Sequence, residues 1–394
     1  MSVNKISAQF YRQPKYYNEF SCMGGSCPMS CCLIWRVDWT KDEVEKLKNV
    51  ECSEQLKELI DNSFKDIGEK YSVQMNNNRC PFLTEDNFCS IQRELGEEYL
   101  SYTCRSYPRR ALHSGNTVFN CCNLSCYRIM DILCSDSECM RLENYKINNN
   151  NNKMSVKIIF DEKKDIINHP ELEYRHQLFE FFYDIISNES RSLETSIVLG
   201  ALAANSLTKL IAKGGYKRIP DHISEFRKHL GDPEQTAKIG AIKPNYVLRF
   251  GFGIRLNKLL IKSNLTDNFK DDDGSISIRK YLEGEKKFKE AFADRPFAMR
   301  NVALNLLLEL DMPFRDKNST LFENYCYYVS AVAMMKFAAS AIYVTNNDSE
   351  QGFKSVSSYI GRSFAHNDSK IKVVMEVLNE FHCTSPAYLS LIIK

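Results

Sequence analysis

The feature that most constrains this chain is the uneven distribution of its cysteines. Thirteen of the fifteen lie between Cys22 and Cys139, and only Cys326 and Cys383 lie in the remaining two thirds of the sequence. Because thiols are kept reduced inside cells, a dense cluster of this kind favours metal binding over disulfide bonds. Residues 1–20 contain neither an apolar stretch nor a small-residue cleavage site, so we expect a cytoplasmic protein.

The charge balance argues against large anionic partners. The 52 basic and 50 acidic residues leave a formal charge of +2, and the locally basic stretch 209–228 also contains Asp221 and Glu225. We therefore expect no nucleic-acid binding. The longest apolar stretch, 327–344, is interrupted by Lys336, which favours a buried helix and no membrane insertion.

The clustered cysteines form two groups whose short spacings suit metal ligands. The first group consists of Cys22, Cys27, Cys31 and Cys32, and the second of Cys80, Cys89 and Cys104, followed closely by Cys121, Cys122 and Cys126. A folded loop of the first group could present several thiolates to one centre. Because adjacent residues usually point in different directions, we expect Cys31 and Cys32 to serve separate roles.

At least eight of these thiols are candidate ligands. Eight would fill two four-thiolate sites, whereas a smaller subset could hold one cluster with an open iron position, and the spacing alone does not choose the metal. Cys52, Cys326 and Cys383 lie within helical patterns and are better explained as small core residues. Cys134 and Cys139 fit either role.

The asparagine run 148–152 separates two regions of different character. We expect a cysteine-rich metal-binding module with irregular loops at 1–147, including an amphipathic helix within 40–71, and a larger helical domain at 153–394. The fold class is thus mainly α. In the second region the pattern predicts a short strand at 154–160 and helices at 172–186, 193–212, 246–262, 298–310, 321–344 and 370–381.

At the cysteines this sequence resembles the flagellin lysine-N-methylase family, whose amino-terminal part is related to zinc- or iron-chelating cysteine-rich domains. The segments that carry the resemblance are 22–35, 80–83, 89–92, 94–98, 100–101, 104–105, 107–109 and 124–126. A weaker likeness extends along the whole chain to Arg362 and to His366 with Asn367. The chain departs from the family at Tyr127 and Arg128, where members usually have Pro and Glu.

The resemblance implies transfer of methyl groups from S-adenosylmethionine to lysine side chains of flagellin. It also implies an iron-sulfur cluster, with 4Fe-4S favoured and zinc as the alternative, and it makes Cys121, Cys122, Cys134 and Cys139 look like additions to the family pattern. The expected metal ligands are then Cys22, Cys27, Cys31, Cys32, Cys80, Cys89, Cys104 and Cys126.

Methylation of lysine requires a neutral amine that attacks a sulfonium methyl group, so a proton acceptor must lie near the amine. We expect catalytic roles for Glu323 and His366, and for Arg362 from the family likeness. A purely structural explanation for Glu323 is that it forms a helix-capping signature with Thr320.

The methyl donor is expected to bind near the metal. The nearest glycine-rich run, 250–253, lies inside a helical pattern and does not follow a strand, so a doubly wound methyltransferase domain is not expected. An open iron could coordinate the amino and carboxylate groups of S-adenosylmethionine. The Cys-x3-Cys-x2-Cys spacing of radical S-adenosylmethionine enzymes does not occur in this sequence.

A non-enzymatic metal-binding or redox-sensing protein is the alternative interpretation. The cysteine pattern fits a sensor equally well, and only the family resemblance favours the enzyme. The sequence does not predict which lysines are modified or the oligomeric state.

Overall fold

A computed structural model describes residues 10–33, 37–114, 117–146, 157–158, 162–345, 349–365 and 370–394. The strands are β1 Phe10–Pro14, β2 Asp38–Thr40, β3 Phe64–Asp66, β4 Lys70–Val73, β5 Arg109–Ser114, β6 Thr117–Cys122, β7 Leu142–Lys146 and β8 Lys157–Ile158. The N-terminal helices are α1 Tyr16–Glu19, α2 Lys41–Lys48, α3 Glu54–Asn62, α4 Ser90–Leu95, α5 Tyr102–Ser106 and α6 Tyr127–Ser135.

Helices dominate the rest of the described chain. They are α7 Glu162–Asn168, α8 Arg175–Ser187, α9 Leu193–Ala212, α10 Ile219–Leu230, α11 Pro233–Gly240, α12 Tyr246–Leu256, α13 Ile278–Ala291, α14 Ala298–Glu309, α15 Leu321–Tyr343, α16 Ser349–Ala365, α17 Lys370–Glu380 and α18 Pro386–Ile393. This confirms the mainly α fold class, with a larger helical part that follows an N-terminal region of loops and small strands.

The larger sheet is a mixed sheet with strand order β7-β1-β6-β5-β8. β5 and β6 form an antiparallel hairpin in which Arg109 pairs with Cys122, and β1 runs parallel to β6 with Arg12 opposite Phe119. The start of β5, the end of β6 and the end of β1 therefore meet at one edge of the sheet. The chain leads from that edge into the cysteine loops.

A smaller unit between residues 38 and 100 has its own apolar core. The sheet β2-β4-β3 packs with α2 and α3 around Trp39, Leu47, Ile60 and Phe82. At the start of α2, Thr40 and Glu43 form a reciprocal capping box, which satisfies two backbone N–H groups at the helix end. We call this unit the small module.

The helical part is built around α15, whose side chains are almost all buried. Gly284 on α13 allows close approach, because a Cβ atom there would lie only 1.9 Å from the carbonyl oxygen of Ser340 on α15. Lys336 is the one charged side chain deep in α15, and its Nζ lies 2.8 Å from Glu194 Oε1 on α9. The buried cation is thus paired, as burial of a charge requires.

Two of the described helices, α9 and α15, are long and apolar enough to cross a membrane by length and composition. Most of the apolar segment of each is packed inside the protein, as in the core helices of globular proteins.

The larger sheet and the helical part share one apolar core. Tyr16 Oη donates to Asn305 Oδ1 (2.6 Å) on α14 and accepts from the backbone N–H of Cys122 (2.9 Å) at the end of β6. Asn305 also donates to the carbonyl oxygen of Cys122. The proposed module boundary at 148–152 lies outside the described residues and stays a prediction.

Several sequence expectations can be compared with these elements. The predicted helix at 193–212 is confirmed as α9, and the helices predicted at 298–310, 321–344 and 370–381 differ from α14, α15 and α17 by one residue at the end. The predicted strand at 154–160 contains β8, and the rest of that segment is not described. The helix predicted at 246–262 is observed as α12, which is followed by a π-helical turn at Asn257–Ile261.

Two expectations missed part of the observed structure. The helical pattern over 40–71 ends at Asn62, because Phe64 and Tyr71 turn inward from β3 and β4 to pack beside Trp39. The irregular loops expected before Cys126 are interrupted by the six-residue strands β5 and β6, which pair with each other as a hairpin and also with β8 and β1 from distant parts of the chain.

Candidate metal centre

All eight cysteines expected to bind metal line one cavity of about 400 Å³. The volume falls in the range of small-ligand sites, roughly 300 to 1,000 Å³. The cavity lies between the small module and the edge of the larger sheet. Its cysteines are Cys22, Cys27, Cys31, Cys32, Cys80, Cys89, Cys104 and Cys126.

The β5–β6 hairpin brings Cys104 and Cys126 to the same place. Cys104 precedes β5 and Cys126 follows β6, so the antiparallel pairing of these strands juxtaposes the two segments. The backbone N–H of Asn123 donates to Pro108 O (2.8 Å), and the hydroxyls of Tyr107 and Ser125 lie 3.1 Å apart. These bonds fix the two cysteine-bearing segments against each other.

The first cysteine loop reaches this edge because β1 is parallel to β6. Arg109 donates from Nη2 to the carbonyl oxygen of Phe20 (3.1 Å), which holds the start of the loop. Gly24 has a φ of +56°, and a Cβ atom on Gly25 would lie 2.7 Å from the carbonyl oxygen of Asp86. The two glycines therefore permit the loop to pack on the turn that precedes Cys89.

The small module positions Cys32, Cys80 and Cys89. The backbone N–H of Cys80 donates to Cys32 O (2.9 Å), which ties the end of the first loop to the start of the second group. An isolated bridge pairs Leu83 with Cys89, so the segment after Cys80 folds back on itself. The two groups, distant in sequence, thus face one space.

Five of the eight sulfurs accept hydrogen bonds from the backbone in a shared pattern. The N–H of Gly24 lies 3.4 Å from Cys22 Sγ, two residues after that cysteine. The same i+2 relation holds for Met29 with Cys27, Phe82 with Cys80, Ile91 with Cys89, and Arg128 with Cys126. Such N–H donors stabilise negative charge on sulfur, as thiolate ligands require.

Burial keeps most of these thiols protonated when no cation is bound. It raises the pKa of Cys80 and of Cys126 to about 12, against the lowering effect of the backbone N–H groups. Cys32 differs, because a hydrogen bond from the Cys31 thiol lowers its pKa to about 7. A bound metal cation would stabilise all of the thiolates and release their protons.

The donor set fits a thiolate-seeking metal in its chemistry. Eight sulfurs and the N–H groups aimed at five of them suit iron-sulfur or zinc. Among the described residues no three metal-capable side chains are already close enough together to hold one ion. Metal binding would therefore require the Sγ atoms to turn toward common points in the cavity.

The remaining walls carry positive charge and aromatic rings. Arg105 and Arg109 line the cavity, together with Phe20, Trp39 and Tyr107. The guanidinium of Arg109 lies 4.9 Å from the centre of the Phe20 ring. The walls are therefore suited to a small molecule with an anionic group and a flat ring.

Of the two expected catalytic residues that the structure describes, Arg362 lies nearer to this site than Glu323. Burial raises the pKa of Tyr107 well above its usual range, the neighbouring Cys126 adds to the shift, and the charge of Arg362 opposes it. Arg362 belongs to α16, and the adjacent Gly361 packs against Leu124, with its Cβ position 2.9 Å from Leu124 Cβ.

Glu323 does not line the cavity. Its carboxylate accepts from the backbone N–H of Thr320 (2.8 Å) in the capping box of α15. His366 lies outside the described residues. Catalytic roles for Glu323, Arg362 and His366 stay predictions.

Sequence reasoning missed the contribution of Tyr107, Ser125 and Glu309. Glu309 on α14 is fully buried and accepts from the backbone N–H of Leu124 (2.9 Å), and burial raises its pKa to about 7. The segment Cys104–Arg109 was noted only as part of the family likeness. No local pattern could have indicated Glu309, which meets Leu124 only through the tertiary fold.

The other cysteines take different positions. Cys121, Cys122, Cys134 and Cys139 are buried in the large core, as are Cys326 and Cys383, while Cys52 packs at the edge of the small core. None of these seven lines the cavity.

The fold and site define a helical protein with an N-terminal, cysteine-lined cavity. The FliB lysine N-methylase C-terminal domain matches residues 179–392, which is more than half of the chain. The chain belongs to the FliB lysine N-methylase family.

Curated relatives match about a third of the chain. It is 27% identical over 144 residues to a lysine-N-methylase of Salmonella typhimurium and equally to one of Salmonella choleraesuis, with 33% of this chain covered in each case. It is 30% identical over 139 residues to the flagellar biosynthetic protein FliU of Salmonella muenchen, which covers 33% of this chain and 80% of that protein. The match spans about a third, 34%, of the length of the two lysine-N-methylases. No similar solved structure was found for this chain.

Proposed function

We propose that this protein transfers methyl groups from S-adenosylmethionine to lysine side chains of flagellin in the cytoplasm, with an iron-sulfur cluster held in the cysteine cavity. The observation that carries the proposal is the convergence of eight cysteines from distant segments on one cavity that also contains arginines and aromatic rings. Membership of the lysine N-methylase family and likeness to a flagellar biosynthetic protein support the reaction and the substrate.

The lining residues suit the methyl donor. When bound, an iron-sulfur cluster supplies an iron atom that can coordinate the amino and carboxylate groups of S-adenosylmethionine. Arg105 and Arg109 provide positive charge for the same carboxylate. The rings of Phe20 and Tyr107 provide flat surfaces for the adenine or for the sulfonium cation.

The reacting lysine must be bound as a neutral amine. Glu97, exposed in the cavity wall, can attract the charged form of the side chain. Deeper in, the paired hydroxyls of Tyr107 and Ser125 offer hydrogen-bond partners that orient the amine toward the methyl group. Because burial holds the pKa of Tyr107 high, its phenol stays neutral and serves as an orienting group.

The test combines anaerobic purification with a direct assay of product. Flagellin is incubated with S-adenosylmethionine and the purified protein, and its lysines are examined by mass spectrometry. We expect methylated lysines with the metal-loaded protein and with the control Cys52→Ala, whose cysteine lies outside the cavity. Wild-type protein that carries metal but leaves every lysine unmodified would overturn the proposal.

A non-enzymatic redox sensor is the second candidate, and the exposure of Cys22 at the cavity favours it, because oxidants could reach that thiol. Calorimetry with S-adenosylmethionine separates the two functions. A methylase binds this molecule, whereas a sensor has no reason to bind it.

A further inference from the structure

We infer that two helices of the helical part, α14 and α16, position one wall of the cysteine cavity. This wall is the segment 122–126, which contains Cys126 and the hydroxyl of Ser125 that is proposed to orient the amine. We call it the wall segment. Glu309 on α14 and Gly361 on α16 are then positioning residues for methyl transfer. That catalytic consequence rests on the proposed function, whereas the positioning itself does not.

Helix α14 carries a stripe of polar side chains on one buried face. Asn301, Asn305 and Glu309 recur every four residues, which places them on the same side of the helix. All three are at most 3% exposed, and the residues between them on the helix are apolar. Buried polar groups cost free energy unless they are hydrogen-bonded, so the partners of this stripe indicate its role.

Two members of the stripe bond the backbone of the wall segment. Glu309 Oε2 accepts from the N–H of Leu124 (2.9 Å). Asn305 Nδ2 donates to the carbonyl oxygen of Cys122 (3.2 Å). The N–H of Cys122 donates in turn to Tyr16 Oη, which donates to Asn305 Oδ1. Three hydrogen bonds thus form a closed ring between α14, α1 and the start of the wall segment.

The carboxyl of Glu309 makes one hydrogen bond among the described residues, the bond to Leu124. Its side chain is fully buried, and its other oxygen, Oε1, has no hydrogen-bond partner there. An apolar side chain of similar size would fill the same space without the cost of burying a polar group. The carboxyl is therefore best explained by the acceptor that it provides to the N–H of Leu124.

Helix α16 packs against the same residue of the wall segment. A Cβ atom on Gly361 would lie 2.9 Å from Leu124 Cβ and 3.3 Å from the carbonyl carbon of Leu124. Leu124 thus contacts both helices. The two helices are also tied to each other, because Arg315, which follows α14, donates to the carbonyl oxygen of Ala365 (2.8 Å) at the end of α16.

The wall segment connects this contact to the cavity within two residues. Ser125 Oγ lies 3.1 Å from Tyr107 Oη, and Cys126 lines the cavity. A shift of Leu124 would move Ser125 and Cys126, because the spacing of consecutive residues is fixed by the backbone. Misplacement by about 1 Å can cost about a hundredfold in rate. The helical part thereby contributes to the geometry of the proposed amine site.

Matched variants on α14 separate positioning from general stability. Glu309→Leu removes the acceptor for the N–H of Leu124, and Glu309→Gln retains an acceptor oxygen. Asn301→Leu is the control, because Asn301 Nδ2 donates to the carbonyl oxygens of Leu133 (3.1 Å) and Asp136 (3.0 Å). Neither of those two residues lines the cavity.

A second matched pair lies on α16. Gly361→Ala pushes against Leu124, and Gly352→Ala is its control. A Cβ atom on Gly352 would lie 3.0 Å from Ile342 Cγ2 on α15, a comparable contact that does not involve the wall segment. If Glu309→Leu does not fold, comparison of these two glycine variants decides the question in both measurements.

The first measurement is hydrogen–deuterium exchange of the full chain, read by mass spectrometry of peptides that contain Leu124. We expect the Leu124 amide to exchange at least about tenfold faster in Glu309→Leu, which lacks the acceptor, and also faster in Gly361→Ala, which displaces the donor. Glu309→Gln, Asn301→Leu and Gly352→Ala should exchange at the wild-type rate there. An unchanged rate in the folded test variants would overturn the inference.

The second measurement is the kinetics of flagellin methylation with S-adenosylmethionine. We expect kcat to fall by at least about tenfold in Glu309→Leu and Gly361→Ala, with the KM for S-adenosylmethionine within about twofold of wild type. The KM is retained because the arginines proposed to bind the donor lie outside the wall segment. Glu309→Gln, Asn301→Leu and Gly352→Ala should keep the wild-type kcat.

An equal loss of kcat in the test variants and their controls would overturn the inference, since it would show only a general effect on stability. A wild-type protein that methylates no lysine contradicts the proposed function, but the exchange rates still test whether the helices hold the wall segment. The failures of the two proposals are therefore distinguishable.

Discussion

At the level of single residues, hydrogen-bond polarity differs between several cavity cysteines and the core cysteine Cys383. Cys22, Cys27 and Cys126 accept bonds from backbone N–H groups, whereas the Cys383 thiol donates to the carbonyl oxygen of Phe381 (3.3 Å). An acceptor environment favours a thiolate and a donor environment favours a thiol. The same residue type thus has two chemical roles in one chain.

The pH dependence of metal binding follows from these thiols. Because burial raises the pKa of Cys80 and Cys126 to about 12, each must lose a proton when metal binds near neutral pH. Metal affinity should therefore rise with pH by more than about tenfold per pH unit, since more than one proton is released. Competition with a chelator at several pH values measures this slope, and a pH-independent affinity would contradict thiolate ligation.

Tyr107→Phe tests the proposed hydroxyl pair. The substitution removes the oxygen that meets Ser125 and leaves the ring in place. We expect the methylation rate to fall by about tenfold, or about 1.4 kcal/mol in barrier height, with metal content unchanged. Tyr71→Phe, at the edge of the small core, is the matched control. A Tyr107→Phe protein as active as wild type would remove the hydroxyl from the mechanism.

Glu309→Gln tests the buried carboxyl that holds the loop before Cys126. Its pKa is raised by burial from 4.5 to about 7, so the folded state binds the proton more tightly than the unfolded state. This group therefore contributes stability that is fully present below about pH 4.5 and is lost as pH rises toward about 7. Relative to wild type, the variant should gain up to about 3 kcal/mol between those limits.

Urea unfolding of both proteins across this pH range checks the prediction for Glu309. A stability difference that stays constant with pH, or changes in the opposite direction, would show that the carboxyl is not protonated preferentially in the folded protein.

At the level of secondary structure elements, the close contact between α13 and α15 depends on a glycine. A Cβ atom at Gly284 would meet the backbone of α15 at Ser340, whereas one at Gly231 would meet nothing within 4 Å. We expect Gly284→Ala to lower the free energy of unfolding by about 2 kcal/mol or more, and Gly231→Ala to change it little. Urea unfolding measures both, and equal stabilities would contradict this packing.

Local pattern reading succeeded where an element depends on its own residues. The capping pair Thr320 and Glu323 marks the start of α15, and the apolar spacing of α9 gives both of its ends. It failed for β5 and β6, which pair with each other as a hairpin and also with the distant strands β1 and β8. The sequence could likewise group the cysteines but could not indicate that Cys80 and Cys89 pack on one core and Cys126 on another.

At the scale of the whole molecule, the cysteine cavity lies between two separately packed cores. The small module carries Cys80 and Cys89, and the large core, shared by the larger sheet and the helical part, carries Cys126. Cysteine spacing, together with the family resemblance, predicted which cysteines line the cavity, since a dense thiol pattern has few uses in a reducing compartment. Residues such as Tyr107 and Glu309 are harder to predict, because they acquire their environments only when distant segments fold together.

Lysine methylation by this protein is proposed to depend on metal held by the cavity cysteines. The most direct test incubates flagellin and S-adenosylmethionine with anaerobically prepared wild-type, Cys126→Ser and Cys52→Ala proteins and quantifies methyl-lysine by mass spectrometry beside the metal content of each. We predict that wild type and Cys52→Ala retain metal and methylate flagellin, whereas Cys126→Ser is folded, loses metal and loses methylation. Full methylation by a folded Cys126→Ser protein that has lost metal would contradict the claim.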